Sequence, residues 1–163
     1  MRRLARLSYL EYQAGVERPP ENCTRACRQT PMPDIRVIRP HERDAGTAQT
    51  PGMVRTAGVS ADTCGAAGIW MGEFTNEPGF RSAAHHHGDV ESAIYVLDGT
   101  IQIRWGDRLE HRAEASAGDF IFVPAHLVHQ EINMSTTRRV VAILARGGPE
   151  NVVVNVELPE ADQ

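Results

Sequence analysis

A chain of 163 residues with 41% hydrophobic and 6% aromatic residues suits one globular domain, since at this size roughly two thirds of the unfolded surface can be buried. A formal net charge of -4, with no basic cluster in the main body, argues against a phosphate-backbone partner such as nucleic acid. No apolar run approaches the roughly 18 residues of a membrane span, so no membrane partner is expected. All 17 basic residues are Arg, from which nothing functional follows. Cys23, Cys27 and Cys64 are odd in number and do not make paired Cys-x-x-Cys motifs, which points to free thiols in a reducing cytoplasm.

Residues 1–31 differ from the rest: they carry a charge of +3, a Pro19-Pro20 break and no sustained hydrophobic period. They are expected to form a disordered or loosely structured extension, and Met32 followed by Pro33-Asp34-Ile35 has the look of an ordinary domain opening. The remainder, at -7, reads as one domain over 32–158 with a short tail at 159–163. Within it, short β-type runs fall at 35–38, 53–59, 69–75, 82–87, 93–97, 100–105, 108–113, 119–123, 129–133, 139–145 and 152–158. Ile101, Ile103 and Trp105 share one strand face with Gln102 and Arg104 on the other, as a half-buried strand requires. Gly, Pro, Asn and Asp punctuate these runs at the spacing of a β-sandwich or barrel, and no amphipathic helix of more than two turns is visible.

The chemistry gathers in two stretches. Three imidazoles stand in a row at His85, His86 and His87, followed by Glu91 and a β-branched run that ends at Gly99. On an extended strand His85 and His87 point the same way, with Cα atoms about 6 to 7 Å apart, and His86 faces the opposite side. Two imidazoles so placed can converge on one ion. The second stretch, from Gly118 through Pro124 to Asn133, supplies another histidine pair, His126 and His129, of which one can give the third nitrogen. Glu73, and Glu131 on the same strand face as His129, are candidates to point inside as general acid or base.

Both stretches resemble the two motifs of the cupin family. Gly79, His85, His87, Glu91 and Gly99 fill the first, and Gly118, Pro124, His129 and Asn133 fill the second. The resemblance implies an all-β fold, a single jelly-roll β-barrel with one divalent metal ion inside it, and His85, His87, Glu91 and His129 as the ligands. Zinc is favoured, with iron, manganese and nickel as the other options. Two positions depart from the pattern. The family's Glu falls here on Ser92, one residue after Glu91, and a one-residue shift reverses a strand side chain. Either a bulge near Gly88-Asp89 returns Glu91 to the metal, or the site has three histidines. His126 replaces a usual Gly, and is open to three roles: a fourth nitrogen, an acid/base group at the mouth, or a turn cap.

Among small cupins the sequence is most similar to a bacterial group that includes zinc polyketide cyclases. The similarity lies in Thr75-Asn-Glu-Pro-Gly79, His85-His-His87-Gly88, Ala93-Ile-Tyr-Val96 and Val128-His-Gln-Glu-Ile-Asn133. It implies a metal-dependent enzyme of a small-molecule substrate, using Lewis-acid enolate chemistry such as polyketide cyclisation. The alternatives are a dioxygenase of an enediol, catechol or flavonol-like substrate, and a non-catalytic small-ligand-binding barrel. Cupins often pair through their sheets, so a homodimer is expected.

Overall fold

The structure, a computed structural model, describes residues 34–47, 50–148 and 152–158. The expected extension at 1–31 and tail at 159–163 lie outside the described residues. The secondary structure all belongs to the unit Arg36–Gln163. It comprises β1 (Met53–Val59), β2 (Ile69–Asn76), β3 (His85–His86), β4 (Ser92–Asp98), β5 (Thr100–Trp105), β6 (His111–Ser116), β7 (Phe120–Val123), β8 (His129–Ile132), β9 (Val140–Gly147) and β10 (Val154–Asn155). Between β1 and β2 lies a single helical turn, α1 (Ala61–Cys64), capped by the Ser60 side chain, which accepts from the Thr63 N–H.

The strands form two five-stranded sheets, in the order β1-β2-β9-β4-β7 and β10-β3-β8-β5-β6. All the pairings are antiparallel. The all-β jelly-roll expected from the sequence is therefore the fold observed. Alternation along β2 and β9 builds much of the core. Along β2, Trp70 and Phe74 are buried while Ile69 and Met71 are exposed. Along β9, Val140, Ala142, Leu144 and Arg146 are buried and the residues between them are half-buried. The inward residues of both sheets, among them Met53, Phe74, Ile94, Val96, Ile101 and Leu144, merge into one apolar cluster.

Four expected strands differ: the run at 82–87 shortens to His85–His86 and the run at 152–158 to Val154–Asn155, and two others change as follows. Residues 35–38 form no strand and no ladder pairing among the described residues, and Ile35 is 90% and Val37 62% exposed. The run expected at 108–113 begins only at His111. Leu109 is left-handed (φ 57°) inside a turn closed by the Leu109 N–H to Gly106 O bond, and β6 starts beyond it.

The motif residues that carry no chemistry have structural tasks. Gly99 makes the β4–β5 turn at φ +84°, where an added Cβ would stand 2.7 Å from the Arg139 carbonyl oxygen. Asn133 is 1% exposed, and its Nδ2 reaches the carbonyls of Asn76, Glu77 and Arg138 at 3.1, 3.1 and 2.8 Å. One amide thereby ties the ends of β2 and β8 to the loop that leads into β9.

Candidate metal centre

His85 on β3 and His129 on β8 are direct cross-strand partners, and His87 follows one residue after β3. Period-2 alternation sends all three into the barrel, where they are 6%, 1% and 3% exposed. The ring centroids are 4.4 Å apart for His85 and His129, and 5.0 Å for His87 with either of the others. One ligand atom from each lies within 4.8 Å of the other two. His86 faces the other way, half-buried, and its Nδ1 accepts the Gly88 N–H at 3.0 Å.

The tautomers follow from the partners. Nδ1 of His85 donates to Ala83 O at 2.9 Å, Nδ1 of His87 to Val152 O at 2.8 Å, and Nδ1 of His129 to Leu127 O at 2.8 Å. A carbonyl can only accept, so in each ring the proton sits on Nδ1 and the lone pair on Nε2. Burial, and next the Arg146 guanidinium, push His87 down to about 3. Burial also lowers His129. These are neutral imidazoles with fixed tautomers and convergent Nε2 lone pairs, and the Nε2 of His129 is buried without any hydrogen-bond partner. Such a donor set fits a divalent metal ion of the imidazole-preferring kind.

The structure brings one further expected residue to the interior. Glu131 is 5% exposed, two residues beyond His129 on the same strand face. Three others lie elsewhere. Glu91 is exposed just before β4 and stands apart from the histidines. No bulge turns it inward, and the inward position is taken by Ser92, 2% exposed. Glu73 is on the outward phase of β2, where it meets Arg43 at 3.7 Å with a third of its side chain exposed. His126, left-handed at φ 59°, is exposed, and its Nε2 lies 2.7 Å from Asp89 Oδ1.

Sequence reasoning missed Arg55 and Arg146. Arg146 is 3% exposed, its Nη2 donates to His87 Nε2 at 3.1 Å, and Trp70 packs 6.0 Å from its guanidinium carbon. Burial lowers it to about 10, Arg55 adding to the effect. The signal was present: Arg146 continues the inward phase of Val140, Ala142 and Leu144, and Arg55 that of Met53 and Ala57. A cavity of about 420 Å³ opens between β5, β6 and β7. Ile103, Trp105, Ala113, Ile121, Val123 and Leu127 line it, and it reaches His129.

The two-sheet β-barrel therefore carries a buried histidine triad that could hold a metal ion, and one member of it, His129, borders an apolar cavity. Residues 72–145 match the family model described as the cupin domain, a match that supports the cupin superfamily for this stretch. Among solved structures it is similar to KdgF from Halomonas sp., at 17% identity and TM-score 0.58, covering 72% of this chain and 96% of that one. It is also similar to oxalate oxidase in complex with the substrate analogue glycolate, at 20% identity and TM-score 0.57, covering 69% of this chain and 60% of that one. An oxalate decarboxylase structure matches at 18% identity and TM-score 0.57, with 68% of this chain on 30% of that one. At these identities the likeness is one of fold. No curated protein matches the sequence.

Proposed function

We propose that this protein is a metal-dependent enzyme of a small-molecule substrate, carrying out Lewis-acid enolate chemistry such as polyketide-type cyclisation, as a homodimer in the cytoplasm. The observation that supports it most is the set of three Nε2 lone pairs converging at the inner end of an apolar cavity. His85, His87 and His129 would hold a divalent metal ion, zinc being favoured, and its chemistry there would be polarisation of a carbonyl, favouring the enolate. Three protein ligands leave coordination open, as catalytic sites do.

The chain's own residues do the rest. Trp105, Ile103 and Ile121 bind the apolar body of the substrate and exclude water from it, in a cavity whose roughly 420 Å³ falls in the range of small-molecule sites. Glu131, the buried carboxylate on the face of His129, takes the proton released on enolisation and returns it after ring closure. The carbonyls of Ala83, Val152 and Leu127 keep the imidazoles oriented throughout.

The test is elemental analysis of protein isolated from its native host, together with oxygen uptake and product analysis on β-dicarbonyl enols. Stoichiometric zinc, turnover without oxygen consumption, and loss of both metal and turnover in His87→Ala are expected. Iron or nickel accompanied by oxygen uptake would replace this reading with a dioxygenase, because zinc has no accessible redox couple.

A further inference from the structure

The interior holds more positive than negative charge. Among the described residues the buried charged side chains are Arg55, Arg146 and Glu131, two guanidiniums to one carboxylate. A buried charge needs a partner, and a divalent ion at the histidines would add to the excess.

The register shows where a partner would bind. Ser92 on β4 pairs with Val123 of β7 on one side and Arg146 of β9 on the other. All three are buried, so they form one inward row across the sheet, from the cavity wall at Val123 to the guanidinium beside His87. Two hydrogen-bonding groups in this row are unsatisfied: Ser92 Oγ and Arg146 Nε are both buried without a partner. The rest of the guanidinium is weakly committed. Nη1 lies 3.4 Å from Val152 O, and Nη2 spends a donor on His87 Nε2. That nitrogen is the one a metal would use. A metal bound through it removes the acceptor from Arg146 and leaves a buried cation next to a new dication.

We propose that Ser92 and Arg146 form an anion subsite, in which a carboxylate or enolate oxygen of the ligand accepts from both as the metal takes His87. Metal and anion then bind as a coupled pair, each raising the affinity of the other by the same factor. The subsite rests on the reading of the three histidines as a metal centre. It assigns the ligand an anionic head at Arg146 and an apolar body in the cavity.

The experiment is zinc titration of chelator-stripped protein, followed by calorimetry, with and without saturating benzoate, and with benzamide as the uncharged control. Benzoate, but not benzamide, should tighten zinc binding by about tenfold, and zinc should tighten benzoate equally. Arg146→Gln should bind zinc without benzoate at least as tightly as the unaltered protein, and should show no benzoate effect. Arg146→Lys keeps the buried charge should the glutamine variant not fold, and should retain a reduced coupling, as should Ser92→Ala. Zinc binding that is indifferent to benzoate would overturn the subsite and leave the metal centre standing. Absence of zinc binding in the unaltered protein would overturn the metal centre, and the subsite with it.

Discussion

His87 is held neutral inside the barrel, with its one proton committed to the Val152 carbonyl. Protonating Nε2 would place a cation against Arg146 in a desolvated site, which is why the ring is pushed down to about 3. In the unfolded chain the same ring titrates near 6.5. Because the folded value is the lower one, the stability associated with His87 is complete above about pH 6.5 and is lost as the pH falls toward 3. Metal-free protein should therefore show a falling denaturant midpoint between about pH 6.5 and 5, before most carboxylates titrate. The slope should be shallower in His87→Gln. A midpoint that rises on acidification would mean that the folded protein takes up the proton.

At the scale of elements, the turn between β4 and β5 requires its glycine. Gly99 is left-handed, and an added Cβ would press on Arg139 O and Val140. Gly99→Ala is expected to cost about 2 kcal/mol or more, from 1 to 2 kcal/mol of left-handed strain with the clash added, read as a lowered denaturant midpoint. A loss under about 0.5 kcal/mol would mean that the turn adapts.

The same scale explains how much of the protein could be read in advance. The strands at 53–59 and 100–105 were legible to the residue because alternation and turn glycines agree there. The pairing of His85 with His87, and the opposite facing of His86, follow from period 2 alone. Glu91 was ambiguous because its facing depended on whether a bulge preceded β4, and bulges leave little trace in composition. The face of Glu73 was open for a simpler reason: a lone carboxylate in a strand says nothing of its face until Trp70 and Phe74 are recognised as the inward phase. Arg146 went unread because a charged residue on an inward phase contradicts the usual burial rule, and such exceptions lie at sites.

Across the whole molecule the two sheets differ on their outer faces. The face of the sheet containing β6 is laced with polar contacts, Gln102 to Glu114 at 3.2 Å, Arg104 to Gln102 at 2.8 Å and Arg81 to Gln130 at 3.0 Å. The other sheet turns apolar rows outward: Phe122, Ala93, Ala145 and Met71 are successive partners in one register, and Phe120, Tyr95 and Ile143 in the next. Exposed rows of this kind are what isologous dimers cover. The homodimer proposed above should sediment at twice the monomer mass, and Met71→Glu should shift it to monomer while the metal content is kept. A monomer at all concentrations would remove the dimer.

The hydrogen bond from His87 to Val152 spans 65 residues of sequence. The stretch that fixes the tautomer also carries β10, whose Val154 and Asn155 pair with His86 and His85, and Val156, whose N–H reaches Ala84 O at 2.9 Å. During synthesis the three imidazoles therefore exist long before the carbonyl that readies one of them. The triad's geometry is complete only when nearly all of the described chain has left the ribosome, and the proposed binding of an ion there is a property of the finished fold, acquired last.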